Sequence, residues 1–258
     1  MPAGRLDIRD VSKSYPQKGR PPLTVLSHID IDVAPGSFVS LVGPSGCGKS
    51  TLLRLILGLD ADHDGEILVD GTPISGPALS RGIVFQDHRL LPWLTLERNI
   101  GLSLENAGWS AAEKAETVRD LIALVGLRGF ERAFPHQLSG GMAQRAAIAR
   151  GLAARPEILL LDEPLGALDA LTRLRLQSEL QRIWRTERVT MILVTHDVDE
   201  AIFLSDAVVV MGARPGRVVE RVTIDLGAER DRAGSDFAAH KRRILRAMGE
   251  EFGNRHAA

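Results

Sequence analysis

Short apolar runs alternate with longer segments of helical periodicity along most of the chain. The runs "SFVSLVG" (37–43) and "VTMILVTH" (189–196) predict buried strands, and "KSTLLRLILGL" (49–59) has its apolar residues at the spacing of a helix. The strand predicted at 65–71 lies between glycines and is interpreted as one arm of a β-hairpin. Further strands are predicted at 82–86, 157–164, 207–212 and 217–226, and further helices at 112–127, 140–154 and 170–186. Strands and helices that alternate in this way are typical of an α/β fold with a mainly parallel sheet.

The pattern changes between residues 89 and 154, where helical spacing replaces strands. We interpret residues 89–154 as a helical subdomain that is inserted into a sheet core made of residues 1–88 and 155–228. Residues 229–258 are charged and predict a C-terminal tail with an amphipathic helix at 238–252. The sequence shows no internal repeat and no low-complexity segment.

The composition is that of an ordinary globular protein, and it narrows the classes of partner. Of 258 residues, 44% are hydrophobic and 25% are charged, and the formal net charge is −1. Because there is no basic excess, we expect no nucleic-acid partner. The single cysteine, Cys47, forbids an internal disulfide and fits a reducing cytosol. The chain starts without the apolar core of a signal peptide, and no apolar run approaches the ~18 residues that span a bilayer, so we expect any membrane role to come through a partner.

The segment "GPSGCGKST" (43–51) is a candidate phosphate-binding loop. It matches the pattern G-x-x-x-x-G-K-[ST] and lies between a predicted strand and a predicted helix. Glycines let backbone N–H groups turn inward, and the start of the helix adds positive potential. Lys49 would bring a full charge to the β- and γ-phosphates, and the Ser50 hydroxyl would bind Mg²⁺. The candidate nucleotide-binding residues are Gly43, Pro44, Ser45, Gly46, Cys47, Gly48, Lys49, Ser50 and Thr51.

Two carboxylates, Asp162 and Glu163, lie at the end of the apolar run at 158–164. The carboxyl ends of buried parallel strands are where ligands bind in such sheets. We predict that Asp162 binds Mg²⁺ through water and that Glu163 polarises an attacking water molecule. The alternative is a core strand followed by a helix cap, but the phosphate loop upstream favours the catalytic interpretation.

In a second glycine-rich turn, "LSGGMAQR" (138–145), Ser139 resembles the N-cap of a helix. Taken alone, the turn would be a capped helix of the inserted subdomain, but the order of the motifs around it indicates a further role. The motifs, in chain order, are the phosphate loop, Gln86 at a strand end, the Leu-Ser-Gly-Gly turn, a strand ending in Asp162 and Glu163, Asp169 in "LGALD", and His196 after "MILVT". This order resembles the nucleotide-binding subunit of ATP-binding cassette (ABC) transporters over residues 5–227. Met142 departs from the glutamine that is commonest in the family's signature, whereas Ser139 and Gly141 match it.

The resemblance implies a P-loop NTPase fold of the ABC ATPase type, with an antiparallel β subdomain beside the mainly parallel sheet core. It implies ATP hydrolysis as the activity, with ATP and Mg²⁺ as cofactors. Tyr15 would stack on adenine, Gln86 would contact Mg²⁺ and the attacking water, and His196 would hydrogen-bond the γ-phosphate. The remaining implied nucleotide-binding residues are Ser139, Gly140, Gly141 and Asp169. With the residues above, the candidate catalytic group is Glu163, His196 and Gln86, and the candidate metal ligands are Ser50, Gln86 and Asp162.

Narrower features resemble the ATPases of nitrate, sulfonate and taurine importers, with the sulfonate type most similar. These features lie at 82–100, 165–173 and 212–220. The resemblance implies a subunit on the cytoplasmic face of the cell membrane. Two copies would pair there, and the turn at 138–145 of one copy would bind the ATP held by the other. The other implied partners are integral membrane permease subunits and, through them, an extracytoplasmic solute-binding protein. The apolar "LLPW" after Gln86 would line a groove for a helix of the permease.

Two other classes of function fit part of the pattern. A soluble ABC protein that acts on nucleic acid or the ribosome would carry a long coiled-coil insertion or a second cassette, whereas 89 residues lie between Lys49 and Ser139 and the chain has one cassette. A small-molecule kinase shares the phosphate loop but needs neither the Leu-Ser-Gly-Gly turn nor His196. The importer interpretation therefore explains more of the chain, and its own alternatives are the ATPases of taurine, nitrate or other ABC importers.

Overall fold

The computed structural model describes residues 2–227 and 230–253, so the ends of the predicted tail lie outside the described residues. The strands are β1 Leu6–Gln17, β2 Arg20–Val33, β3 Phe38–Val42, β4 Asp64–Val69, β5 Thr72–Pro73, β6 Arg81–Val84, β7 Ile158–Asp162, β8 Thr190–Thr195, β9 Ala207–Gly212 and β10 Arg217–Thr223. The helices are α1 Lys49–Ile56, α2 Leu96–Gly101, α3 Ala111–Leu124, α4 Gly140–Leu152, α5 Ala170–Glu187, α6 Val198–Leu204 and α7 Ser235–Gly253. Each strand and helix predicted from the hydrophobic pattern is present within a few residues of its expected bounds. None of the described helices is both long and apolar enough to cross a membrane.

One compact unit consists of residues 4–78 and the described residues from 190 onward. It contains an antiparallel sheet in the order β2-β1-β4-β5 and a second group in which β3 pairs in parallel with β8 and with β9. Every residue of β3, β8 and β9 is buried, as expected for strands that are covered on both faces. The register pairs Val42 with Thr195, so Gly43 and His196 follow neighbouring strand ends.

The β1–β2 hairpin is the main element that the hydrophobic pattern did not predict. Its pairing shifts register between Ile8 and Val11, where Asp10 has a φ of 51°, and the opposite strand has a φ of 50° at His28. Such β-bulges insert extra residues and break the alternation of buried and exposed positions. The antiparallel β subdomain that the family resemblance implied is nevertheless present, and the hairpin arm predicted at 65–71 is β4, which pairs with β5.

The second compact unit consists of residues 79–189 together with the first few residues of the chain. In it, β6 pairs in parallel with β7, and α4 packs closely on this pair. A Cβ added at Gly82 would lie 2.5 Å from the Gly151 carbonyl oxygen, so only glycine allows this approach. The structure describes all of residues 89–154 and forms helices but no strand there, which confirms the predicted helical content. The compact unit also includes β6, β7 and α5, so the bounds of an inserted subdomain stay a prediction.

The C-terminal helix α7 packs against α6 and β9 of its own unit. Its buried side chains Phe237, Ile244 and Ala247 join a cluster with Ile202 of α6 and Val210 of β9. This confirms the amphipathic helix predicted for the tail and shows which face is covered.

Arg230, just before α7, attaches the tail to the end of α6. Its side chain is 4% exposed, and its guanidinium donates to the carbonyl oxygens of Ile202 (2.8 Å), Phe203 (3.1 Å) and Ser205 (2.6 Å). The last carbonyl groups of a helix lack helical donors, and a positive charge at this end also stabilises the helix dipole. Arg230 therefore supplies the missing donors from a buried position.

Replacing Arg230 with alanine should lower the free energy of unfolding by about 2–3 kcal/mol, because three carbonyl groups lose a charged, buried donor. Arg246, which is exposed on α7, provides the matched control, and Arg246→Ala should change stability by less than about 0.5 kcal/mol. Urea unfolding followed by circular dichroism measures both variants. Equal losses in the two would contradict the role given to Arg230.

Candidate functional site

The residues predicted to bind and cleave a nucleotide are divided between the two compact units. The unit that contains β3 carries Tyr15, residues 43–51 and His196. The other unit carries Gln86, residues 139–141, Asp162, Glu163 and Asp169. The first unit thus holds the residues expected to bind the nucleotide itself. The second holds the residues expected to act on water, two of the three candidate Mg²⁺ ligands (Gln86 and Asp162), and the turn expected to contact the nucleotide of a partner.

Three glycines determine the shape of the phosphate loop. Gly43 follows β3 and lies so close to β9 that a Cβ there would be 2.5 Å from the Met211 carbonyl oxygen. Gly46 and Gly48 have φ values of 78° and 92°, which residues with a side chain rarely adopt. Gly48 is also the N-cap of α1, and it provides no side-chain cap for the helix. The first amides of α1 therefore suit an anion.

Lys49 begins α1 and lies across the loop. It is 8% exposed, and its Nζ donates to the carbonyl oxygens of Gly43 (2.8 Å) and Pro44 (3.1 Å). The fully buried sulfur of Cys47 is 3.6 Å from the same nitrogen. The next residue, Ser50, is exposed in the first turn of the helix. The loop thus holds one fixed positive charge where phosphate oxygens are expected.

His196 follows β8, beside the strand end that leads into the phosphate loop. It is exposed, and the turn after it is firmly held. The Asp197 carboxylate caps α6 by accepting a hydrogen bond from the Glu200 amide at 3.1 Å, and the Thr195 hydroxyl donates to the Glu200 carboxylate. His196 thus lies exposed after the strand that neighbours β3, and its contact with the γ-phosphate stays a prediction.

Asp162 is the last residue of β7, and Glu163 follows it in a turn. Residues 158–161 are fully buried, and exposure begins at Asp162. Glu163 has a φ of 47°, which costs a residue with a side chain on the order of 1 kcal/mol or more. Residues in such strained conformations cluster at active sites, so the backbone itself marks Glu163 as a residue to test.

Gln86 lies in a cleft of about 450 Å³ that also contains the start of α4. The cleft is lined by Gln86, Asp87, His88, Gly140, Gln144, Pro164, Ala167 and Leu168. Gln86 is exposed, and a Cβ added at Gly166 would lie 3.2 Å from its Nε2 atom. The structure therefore brings Gln86 together with the turn after Glu163 and with the glycine-rich start of α4.

Ser139 is the N-cap of α4, as its sequence context predicted. Its hydroxyl accepts a hydrogen bond from the Met142 amide at 3.3 Å, and both Ser139 and Gly140 are exposed. Gly141 has a packing role that sequence reasoning missed. A Cβ there would lie 2.7 Å from the Thr172 Cγ2 atom, so glycine lets α4 approach α5. An exposed, glycine-rich helix start of this kind suits an anion.

Asp169 is the N-cap of α5. Its carboxylate accepts a hydrogen bond from the Thr172 amide at 3.0 Å. Hydrogen bonds from the side chain and the amide of Thr172 hold the pKa of the Asp169 carboxyl below its ordinary value. An ionised carboxylate at this position stabilises the start of the helix. This structural role is additional to the nucleotide contact that the family resemblance implies.

Two polar residues of α4, which sequence reasoning did not single out, hold the backbone around Gln86. The buried Gln144 side chain donates to the Phe85 carbonyl oxygen at 3.1 Å. Arg150 donates to the carbonyl oxygens of residues 88 and 89 at 2.7 and 2.6 Å. The sequence did contain a signal for these residues, because each is a polar residue at an apolar position of the helical pattern. Since buried polar groups in proteins are nearly always hydrogen-bonded, such a residue predicts a specific hydrogen-bond partner.

The "LLPW" segment is held from α2 by the fully buried Asn99. The Asn99 Oδ1 atom accepts from the Leu91 amide at 2.7 Å, and Nδ2 donates to the carbonyl oxygens of Leu91 (3.1 Å) and Leu94 (3.0 Å). Trp93, between them, is 69% exposed. The segment predicted to contact a partner is thus fixed in its backbone and open to solvent at its tryptophan.

A groove of about 770 Å³ lies between α2 and α3, next to this segment. Its apolar lining includes Leu94, Leu102, Val118 and Ile122. Its charged lining residues are Glu97, Arg98, Glu105, Lys114, Arg119 and Glu131. A groove with apolar residues and charges of both signs in its lining is a candidate surface for a protein partner.

Comparison with known proteins identifies the family. Residues 26–166 match the sequence model of the family described as ABC transporter. An uncharacterized ABC transporter ATP-binding protein of Methanocaldococcus jannaschii is 47% identical over 247 residues, which cover 96% of this chain and 92% of that protein. The aliphatic sulfonates import ATP-binding protein SsuB of Bacillus subtilis is 48% identical over 233 residues, which cover 90% of each chain. A solved dimeric ATP-binding cassette in a post-hydrolysis state, with ADP and Pi bound, is 31% identical, with a TM-score of 0.71 over 85% of this chain and 98% of that one.

The family match covers the phosphate loop, Gln86, the Leu-Ser-Gly-Gly turn and the strand that ends in Asp162 and Glu163. The solved cassette shares the α/β fold, which confirms the P-loop NTPase fold of the ABC ATPase type that the sequence led us to expect. The chain belongs to the ABC transporter family, and it is an ATP-hydrolysing cassette subunit of a transporter.

Proposed function

We propose that this subunit energises the import of a small oxyanion, with an aliphatic sulfonate as the first candidate. The observation that carries the proposal is the 48% identity, over 90% of both chains, to a protein named for aliphatic sulfonate import. The features at 82–100, 165–173 and 212–220 support the same branch of the family. Other subunits would bind and select the solute. The proposed solute is therefore a property of the whole transporter to which this chain belongs.

In the proposed mechanism, residues 43–51 and the first amides of α1 hold the phosphates, while Tyr15 stacks on adenine. Lys49 neutralises charge on the β- and γ-phosphates. The donors present fit Mg²⁺, because the Ser50 hydroxyl, the Gln86 amide and the Asp162 carboxylate all offer hard oxygen atoms. Mg²⁺ in nucleotide sites takes one or two such protein groups together with phosphate oxygens and water. Bound there, Mg²⁺ would neutralise charge on the phosphates.

Glu163 is the proposed general base, which accepts a proton from the attacking water. The strained turn at Glu163 and the proximity of Gln86 to that turn support this assignment. His196 would donate a hydrogen bond to the γ-phosphate from the tip of its strand. Positioning and electrostatic stabilisation, rather than covalent chemistry, supply most of the rate enhancement in phosphoryl transfer.

We further propose that two copies of the chain pair head to tail and enclose two ATP molecules. Each ATP would lie between residues 43–51 of one chain and residues 139–141 of the other. The exposed N-cap Ser139 and the glycines after it offer helix-start amides to the γ-phosphate. A dimeric cassette among the solved relatives supports the pairing. ATP would then close the dimer, and hydrolysis would reopen it.

The proposed membrane partner is a permease that binds the groove between α2 and α3 and the exposed Trp93. This surface lies on the segment that Asn99 and α4 hold next to Gln86, so a change at the nucleotide site can reach it through fixed backbone. The chain would act at the cytoplasmic face of the cell membrane. A solute-binding protein on the other side would deliver the solute to the permease.

Uptake in a strain that lacks this subunit tests the solute class. We expect growth on aliphatic sulfonates as sole sulfur source to fail, and the wild-type chain to restore it. Lys49→Ala should not restore growth, whereas Lys18→Ala, an exposed lysine in the turn between β1 and β2, should restore it fully. Taurine and nitrate uptake, measured in the same strains, separates the alternatives. Unimpaired growth on sulfonates, taurine and nitrate alike would overturn the assignment to this branch.

A further inference from the structure

The buried Lys13 side chain forms a charged cluster with Asp60 and the exposed Asp62 beside Tyr15, and no proposed catalytic step uses this cluster. Its side chain is 3% exposed. The ammonium donates to Asp60 Oδ1 at 3.0 Å and to Asp62 Oδ2 at 3.1 Å, and it also contacts the Asp62 carbonyl oxygen. Burial opposes the charge on Lys13, but the hydrogen bonds to the two aspartates outweigh it, so the pKa of Lys13 is raised. Lys13 therefore keeps its positive charge in the interior, where it is paired with the carboxylates of Asp60 and Asp62.

This cluster fixes the Tyr15 ring at two points. The Lys13 Nζ atom lies 4.8 Å from the ring centroid, within the range of a cation–π interaction. The Tyr15 hydroxyl donates to Asp60 Oδ2 at 3.3 Å, while Lys13 holds the other oxygen of the same carboxylate. The ring is only half-exposed. Because a cation lies against one face of the ring, the opposite face is the one on which a planar base can stack.

The cluster is connected to the phosphate loop through the neighbouring strand. Lys13 of β1 is paired with Leu26 of β2. Leu26 is fully buried against the loop, since a Cβ added at Gly48 would lie 2.5 Å from its Cδ2 atom. Asp60 follows α1, the helix that begins in the loop. The groups that hold Tyr15 are therefore connected to the phosphate-binding residues through Leu26 and through α1.

We propose that Lys13 and Asp60 are positioning residues that hold Tyr15 as the platform for the adenine base, and so set the affinity for the base without touching the phosphates. The inference rests on the proposed stacking of Tyr15 on adenine. A cation on one face draws electron density from the ring, which strengthens stacking of an electron-rich purine on the other face. The hydrogen bond to Asp60 prevents the ring from turning out of this position.

Parallel affinity measurements with ATP and with inorganic tripolyphosphate test the proposal. Lys13→Met keeps the aliphatic stem and removes the charge, so it should weaken binding of MgATP about tenfold. Binding of Mg-tripolyphosphate should stay unchanged, because that probe has no base. Lys13→Arg keeps the charge and should bind ATP nearly as well as the wild type. Lys18→Met, at an exposed lysine of the same hairpin, is the matched control and should have no effect on either probe.

A direct view of the ring is available because Tyr15 is the only tyrosine in the chain. Incorporation of 3-fluorotyrosine gives a single ¹⁹F resonance for Tyr15. We expect ATP to shift this resonance and tripolyphosphate to leave it in place. In Asp60→Asn, which weakens the acceptor for the hydroxyl, the resonance should broaden and its response to ATP should decrease.

The proposal would be overturned if Lys13→Met lost affinity for ATP and for tripolyphosphate equally. It would also be overturned if Lys13→Met had the melting temperature of the wild type and an unchanged affinity for ATP. If Lys13→Met does not fold, Tyr15→Phe decides the question, because it keeps the ring and removes the bond to Asp60. Unchanged ATP affinity in Tyr15→Phe would overturn the proposal. A wild-type ¹⁹F signal that ignores ATP, in a protein that hydrolyses ATP, would overturn the platform and leave the proposed ATPase intact. Failure to bind either probe would contradict the proposed nucleotide site itself.

Discussion

Glu163→Gln is expected to leave ATP binding nearly unchanged and to lower the rate of ATP hydrolysis by at least about 100-fold. Glutamine has almost the same shape as glutamate, so the strained turn at residue 163 should persist. The amide, however, cannot accept the proton of the attacking water. Release of inorganic phosphate measures the rate, and equilibrium binding of a fluorescent ATP analogue measures the affinity.

Glu157, just before the first residue of β7, provides a matched control for Glu163 at the other end of the strand. Glu157→Gln makes the same chemical change there and should hydrolyse ATP at the wild-type rate. Lys49→Ala should lose both binding and hydrolysis, because it removes the fixed charge of the phosphate loop. Wild-type turnover in Glu163→Gln would remove this carboxylate from the mechanism.

Mixing two inactive variants should restore part of the activity if each ATP lies between two chains. Lys49→Ala damages the phosphate loop, and Ser139→Arg places a large cation at the start of α4. Each variant alone should be nearly inactive, since the loss of one donor to a developing charge costs on the order of 10²–10³ in rate. A mixed pair, however, contains one site with neither lesion. The rate of phosphate release in the mixture measures this recovery.

Ser110 offers a matched control for Ser139, because it is the N-cap of α3 and its hydroxyl accepts a hydrogen bond from the Glu113 amide. Ser110→Arg should lose a helix cap in the same way and keep its hydrolytic activity. If the mixture of Lys49→Ala and Ser139→Arg stays inactive while mixed dimers form, then either Ser139 acts within its own chain or one intact site is not enough.

The elements that could be predicted from the sequence are those whose pattern lies within one short, continuous run of residues. The phosphate loop is one run of nine residues, and β3 and α1 on either side have patterns that are readable without any partner. The N-cap role of Ser139 was also readable, because capping depends on the residues that follow directly. Short apolar strands such as β7 were predictable because every residue from 158 to 161 is buried.

The features that sequence reasoning missed depend on contacts between distant parts of the chain. Lys13 and Asp60 are 47 positions apart, and their pairing follows from a bulged strand register and the turn after α1. Gln144 holds the Phe85 carbonyl oxygen from 59 positions away. The packing requirement at Gly141 comes from Thr172 on another helix. The hydrophobic pattern along the sequence gives no information on contacts between residues that are far apart in the chain. These residues could therefore be recognised only as parts of a helix or strand.

A thiol crosslink between positions 45 and 139 is the most direct measurement of whether two chains share each ATP. Cys47, the only native cysteine, is first replaced by alanine, and Glu163→Gln keeps ATP from being consumed. One chain then carries only Ser45→Cys, and a second chain carries only Ser139→Cys. We expect a crosslinked pair when the two are mixed with ATP, and none without nucleotide. No crosslink between chains that have bound ATP, together with a crosslink inside a single chain that carries both cysteines, would contradict the shared site.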